Sequence, residues 1–199
     1  DIAAFSFYPT KILGAYGDGG MIVTSSKKLA EKARMLRMYG IRTYGTKHDT
    51  YSQFLGYNSR LDELQAAILR GKLKKIDTYI KRRKEVAKRY YDALNNTPLT
   101  LPGVDPSASH VYHLFVCRHK KRDAIIDYMR KRNITLSIHY PHPLHLMKGF
   151  ANLGYKKGDF PEAEKAASQV FSLPIYPELE KEAQDRITSC LHSSISVLL

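Results

Sequence analysis

From Ser59 to Asn96 the apolar residues recur at helical spacing almost without a break, which commits a large part of the chain to long α-helices. Leu61, Leu64 and Ile68 form a first stripe, and Leu69, Leu73, Ile76 and Ile80 continue it on a shifted face. A second stripe of Ala87, Tyr90, Tyr91 and Leu94 runs to Asn95 and Asn96. The shift predicts two helices or one bent helix. Ser59 and Asp62 stand at capping-box spacing and mark the expected start, although Asp is a weaker partner there than Glu.

Around this region short strands alternate with helices. Phe5-Ser6-Phe7 alternates and Met21-Ile22-Val23-Thr24 is apolar and β-branched, so both read as strands. The run Gly14-Ala15-Tyr16-Gly17-Asp18-Gly19-Gly20 between them is too rich in glycine for a helix. Leu29, Ala33 and Leu36 predict an amphipathic helix ending near Gly40, a residue suited to the turn after a helix. Residues 41–57, rich in Gly, Tyr and Thr, are expected to form a long loop. Pro98, Pro102, Gly103 and Pro106 mark a connector over 97–109. Beyond it, strands are expected over 111–118 and 134–140, a helix over 120–132, and a Pro- and His-rich loop over 141–146. A helix from Asp159 and Pro161 to about Val170, an extended stretch over 172–177 and a last helix carrying Ala183, Ile187, Leu191 and Ser194 complete the order. This is an α/β pattern, read as one domain over 1–96 and a second over 97–199.

Composition narrows the function classes. No apolar run approaches the roughly 18 residues of a membrane helix. Asp1-Ile2-Ala3-Ala4-Phe5 has no basic segment ahead of an apolar one, so no signal peptide is expected, and there is no initiator Met. Cys117 lies in a strand-like run and Cys190 in a helical pattern, which favours two reduced, buried thiols over a disulfide and points to the cytoplasm. The formal net charge of +13 admits a basic nucleic-acid-binding module, an anionic small molecule, or an acidic portion elsewhere that balances it. Lys81-Arg82-Arg83-Lys84 and Lys88-Arg89 read as the solvated face of a helix rather than a nucleic-acid surface.

Lys11 stands between Pro9-Thr10 and the glycine-rich run. A lysine becomes a nucleophile when burial or a nearby cation keeps its amine partly neutral. On composition alone it is one lysine among many, and Gly17-Asp18-Gly19-Gly20 alone is a weak phosphate-loop signal. His139, His142 and His145 recur every third residue and invite a metal reading. Pro141 and Pro143 rule out a regular helix presenting all three, and no Cys or acidic residue stands beside them in sequence, so no metal is expected.

Taken together, four ordered segments are far more specific. Phe5 to Ile22, including Tyr8-Pro9-Thr10-Lys11-Ile12-Leu13-Gly14, resembles the lysine segment of the DegT/DnrJ/EryC/StrS aminotransferases, fold-type-I pyridoxal-phosphate (PLP) enzymes that make amino sugars. Gly56-Tyr57-Asn58-Ser59-Arg60-Leu61-Asp62-Glu63-Leu64-Gln65-Ala66-Ala67 is similar to the same family. So are Ile138-His139-Tyr140-Pro141-His142-Pro143-Leu144-His145-Leu146, and Phe160-Pro161-Glu162-Ala163-Glu164 with Leu173-Pro174-Ile175-Tyr176-Pro177. The resemblance covers essentially the whole chain.

The resemblance implies roles. Lys11 matches the lysine that carries PLP as a Schiff base and later serves as general base and acid. Ser6 matches a hydroxyl on the PLP phosphate, and Asn58 an amide reaching that phosphate from the neighbouring subunit of a homodimer. His139, Tyr140 and His145 match the loop facing the nucleotide-sugar substrate. Neutral donors and backbone N–H groups suit a phosphate dianion. The implied reaction moves an amino group, from glutamate by analogy, to a keto-deoxy sugar, most like dTDP-linked 3-keto-6-deoxyhexoses. Residues 1–96 would then be the end of the large PLP-binding domain and 97–199 the small C-terminal α/β domain.

Departures are visible. Ile12 stands where relatives commonly have Asn, and Met147 where a Gln often follows the His-Leu pair. The family's Gly-Ser/Thr phosphate turn, the aromatic that stacks on the PLP ring and the Asp that pairs with its nitrogen all precede the lysine, and Asp1 does not match that Asp. The chain is therefore expected to be the C-terminal half of a family member, with an inactive truncated or split subunit as the alternative.

Overall fold

Ala3–Ser6 (β1) pairs antiparallel with Gly20–Val23 (β2), placing Ser6 opposite Gly20 and Phe5 opposite Met21. The computed structural model describes the backbone of residues 1–44 and 47–198 and the side chains of residues 1–42 and 51–198. It divides into two compact units, Asp1–Asp77 and Thr78–Leu199. The division falls between Asp77 and Thr78, ahead of the boundary that the sequence pattern predicts at the 97–109 connector.

In the first unit Lys27–Arg37 (α1) starts at Ser26, whose Oγ accepts from Leu29 N–H. Leu29, Ala33 and Leu36 are half-buried along one face, as their spacing predicts. The helix ends where expected. Gly40 has φ +71°, its N–H donates to the Met35 carbonyl at 2.9 Å, and a Cβ there would fall 1.8 Å from the Phe54 carbonyl. The expected loop over 41–57 is instead largely a hairpin, Ile41–Tyr44 (β3) with Lys47–Ser52 (β4). β-Branched and aromatic residues, Ile41, Thr43, Tyr44, Thr50 and Tyr51, outweigh the local glycine content.

The next helix, Glu63–Leu73 (α2), begins later than Ser59. Tyr57 N–H donates to the Leu36 carbonyl at 2.7 Å and Ser59 N–H to the Arg37 carbonyl at 3.0 Å, so this segment is extended along the end of α1. Asp62 is the N-cap, its Oδ1 accepting from Leu64 N–H at 2.8 Å. A break at Lys74 separates α2 from Ile76–Leu94 (α3), the two-helix outcome.

The second unit holds the main core. Phe115–Arg118 (β5) pairs antiparallel with Val170–Leu173 (β6), and alternate β5 residues, Phe115 and Cys117, are buried. β5 is shorter than expected because Tyr112 takes φ +50° and interrupts extended backbone. The expected strand over 134–140 contributes only one bridge, Ser137 to Ser172. Arg122–Arg130 (α4), Pro161–Gln169 (α5) and Lys181–Leu198 (α6) complete the unit. Val86, Tyr90 and Leu94 of α3, Ile125 and Met129 of α4, and Ile187, Leu191 and Ile195 of α6 close around Phe115, Phe171 and Leu173. Tyr90 is fully buried and its hydroxyl donates to the Pro174 carbonyl at 2.8 Å, which satisfies its polar end.

Within the run Lys81-Arg82-Arg83-Lys84, one residue is not on a solvated face. Arg83 is buried, and its Nη1 donates to the carbonyls of Tyr112 (3.0 Å), His113 (3.3 Å) and Ile175 (3.0 Å). Burial lowers its affinity for a proton, with Glu178 opposing that shift. The run 81–84 therefore mixes exposed charge with one internal tie. No described helix is long and apolar enough to cross a membrane.

Candidate functional site

Directly after β1 the chain turns back on itself. Ser6 Oγ accepts from Tyr8 N–H at 3.3 Å, and the Tyr8 carbonyl accepts from Lys11 N–H at 2.8 Å. Phe7 N–H donates to the Gly19 carbonyl at 2.8 Å and Ala15 N–H to the Phe7 carbonyl at 2.7 Å, closing the loop onto the end of the sheet. Gly14 fills the crook, where a Cβ would lie 2.4 Å from the Pro9 carbonyl, so only glycine fits without moving backbone. Lys11 is half-buried on a turn whose ends are both fixed.

Helix α2 braces this loop with one face. Gln65, Leu69 and Lys72 recur at i, i+4 and i+7. Gln65 Oε1 accepts from Tyr16 N–H at 2.8 Å, and Leu69 is buried in one cluster with Phe7 and Ala15. Lys72 Nζ donates to the Gly14 carbonyl at 2.6 Å and lies 5.1 Å from the Tyr16 ring centroid. Neither Gln65 nor Lys72 is among the candidate site residues that the sequence motifs point to. The available signal was a polar pair sharing a helix face with a buried leucine.

Asn58 is placed differently. Its backbone bridges to Met38 at the end of α1, and its side chain is exposed. Ser6 and Lys11 thus share one turn, while Asn58 is anchored by a separate element. These residues fit PLP chemically. Ser6 accepts one backbone bond and keeps a hydroxyl proton to donate, Asn58 offers an exposed amide, and Lys11 supplies the amine.

In the second unit His139, Tyr140 and His145 have three distinct settings. His139 Nδ1 lies 3.1 Å from Ser172 Oγ on β6. Tyr140 is 75% exposed. His145 turns inward, its side chain 7% exposed, with Nε2 3.0 Å from Glu164 Oε1 and its ring 4.8 Å from that of Phe160. No acidic residue stands near the histidines in sequence, but the fold brings Glu164 from α5. Glu164 Oε1 also accepts from Gly158 N–H at 2.7 Å. That bond first, and the one from His145 next, hold its carboxyl below the usual glutamate range.

The sequence profile of the DegT/DnrJ/EryC1/StrS aminotransferase family matches residues 1–192. The chain is 46% identical over 205 aligned residues to a dTDP-3-amino-3,4,6-trideoxy-alpha-D-glucose transaminase of Micromonospora megalomicea subsp. nigra, covering 100% of this chain and 53% of that protein. Its fold is similar to that of Streptomyces venezuelae DesV, solved with a ketimine intermediate, at TM-score 0.89 and 41% identity over 96% of this chain and 51% of the other. NtdA of Bacillus subtilis, solved with bound cofactor PMP, matches at TM-score 0.86 and 30% identity, covering 98% of this chain and 46% of NtdA. The chain spans about half the length of the curated relatives it matches.

Proposed function

The chain belongs to the DegT/DnrJ/EryC1/StrS aminotransferase family and shares its α/β fold, and from that premise we propose that it supplies the lysine-bearing part of a PLP-dependent sugar aminotransferase. The reaction exchanges the amino group of glutamate for the keto oxygen of a nucleotide-linked deoxy sugar, leaving 2-oxoglutarate and an amino sugar. The observation that carries this reading is the Lys11 turn, held by Ser6, Gly14 and the face of α2.

Lys11 would hold the cofactor through its Nζ, and as a free amine the same atom would take and return the proton that the amino transfer requires. Ser6 and Asn58 bind the phosphate, Asn58 across a homodimer interface. His139, Tyr140 and His145 belong to the loop that receives the sugar nucleotide. PLP, when bound, supplies the electron sink. A dTDP-linked 3-keto-6-deoxyhexose is the substrate class favoured by the relative's name. Two unpaired cysteines support a reducing, cytoplasmic setting.

The test is PLP titration of the intact protein, followed by borohydride reduction and peptide mass mapping. The cofactor should be trapped on Lys11, and Lys11→Ala should abolish turnover. Turnover by Lys11→Ala without added amine would overturn the reading.

The half-length match favours a second reading, in which the 199 residues fold but do not turn over alone. Turnover by this chain in isolation would exclude it.

A further inference from the structure

We propose that Glu164 is a positioning residue for the sugar-binding loop, fixing His145 and through it residues 139–146 in the shape that receives the nucleotide sugar. What the loop binds rests on the aminotransferase reading above; how the loop is held rests on the structure alone.

The motif makes His145 a candidate substrate contact, but its ring is withdrawn from solvent and its Nε2 is spent on Glu164. A carboxylate oxygen can only accept, so His145 carries its proton on Nε2. The same oxygen accepts from Gly158 N–H, at a glycine with φ +97°. Phe160 lies against the imidazole, and Tyr155 meets Phe160 edge-on at 5.0 Å. Two separate segments therefore meet on one Glu164 oxygen, His145 from the loop and Gly158 from the turn before α5, with Phe160 packed on the imidazole beside them.

Helix α5 is itself tied to α4. Arg122 is buried, and its Nη1 donates to the carbonyls of Ala167 (3.1 Å) and Val170 (2.9 Å), capping the helix C-terminus. Glu164 transmits that fixed position to the loop. At the other end of the loop His139 is tied to Ser172 of β6. The segment is an arch pinned at His139 and His145, with exposed Tyr140 between the pins. A shift of about 1 Å in a substrate-positioning element can cost about a hundredfold in rate. Glu164 thus acts on the sugar half-reaction through the loop and leaves the donor half-reaction alone.

The test uses the intact PLP-loaded protein with the variants E164A, E164Q and H145A. The probes are dTDP-3-amino-3,4,6-trideoxy-α-D-glucose for the sugar half-reaction and glutamate for the donor half-reaction, both followed by cofactor absorbance. E164A should raise the KM for the sugar nucleotide about tenfold and leave the glutamate half-reaction within about twofold. E164Q keeps a side-chain carbonyl that accepts both bonds and should restore most of the loss; H145A should resemble E164A. A sugar KM unchanged in folded E164A, or an equal loss in both half-reactions, overturns the proposal. If the wild type accepts glutamate but not the sugar probe, it is the substrate reading that fails. Amide exchange then decides the positioning role: faster exchange confined to 139–160 in E164A supports it, and unchanged protection of Gly158 overturns it.

Discussion

Lys72 Nζ donates to the Gly14 carbonyl across 2.6 Å, joining the last turn of α2 to the loop that follows Lys11. A charge-assisted bond to a part-buried carbonyl contributes about 1.5–3 kcal/mol. Lys72→Met keeps the aliphatic stem and removes the donor. The expected result is amide exchange at Ala15 and Tyr16 faster by about tenfold or more, with α1 unaffected. Site-resolved hydrogen exchange checks it, and unchanged protection would show that Gln65 and Leu69 hold the loop alone.

Arg83 is expected to be the most sensitive member of its basic run. Arg83→Met strands the Tyr112, His113 and Ile175 carbonyls without their shared donor. It also removes a desolvated charge and a buried Nε with no partner, which offsets part of the loss. The net expectation is about 2–3 kcal/mol of destabilisation. The neighbouring exposed Arg82→Met should stay within about 0.5 kcal/mol. Paired denaturant unfolding curves decide between them.

What was legible in the sequence was local or carried by contiguous motifs. The α1 stripe and its Gly40 terminus needed only helical spacing and one residue with φ +71°. The α/β aminotransferase fold followed from four contiguous segments, now matched over residues 1–192. Errors arose where a distant partner overrides local preference. Ser59 does not start α2 because its segment is held extended along the end of α1, by Tyr57 N–H on Leu36 and Ser59 N–H on Arg37, and Asp62 caps the helix instead, while residues 134–140 keep one bridge rather than a strand. The same limit governs the candidate site. Ser6 and Lys11 share a turn within one motif, but Lys72 meets Gly14 and Glu164 meets His145 only through the fold.

The two cysteines should differ sharply in reactivity. Cys117 is fully buried, and burial pushes its thiol up to about 12, leaving almost no thiolate near neutral pH. Cys190 is half-buried on α6. Alkylation of the native protein at pH 8 should label Cys190 first, with Cys117 reacting only after denaturant is added. Mass spectrometry of the labelled peptides checks this, and equal labelling rates would mean that the β5 core opens readily.

Acid should loosen the histidine loop through Glu164. Its carboxyl is held below the ordinary glutamate value by the Gly158 N–H first and by His145 second. A depressed carboxyl stabilises the fold above its unfolded value, and that contribution is lost as pH falls through the folded value. The contacts at Oε1 should therefore persist from neutrality to the ordinary carboxylate range near about 4.3 and fail below it. Once protonated, the carboxyl loses its negative charge and the charge-assisted strength of both bonds. Carboxyl carbon shifts of Glu164 and exchange of the Gly158 amide should change together on acidification. Glu164→Gln has no proton to gain and should flatten that dependence, so an unaltered acid profile in this variant would assign the transition to another group.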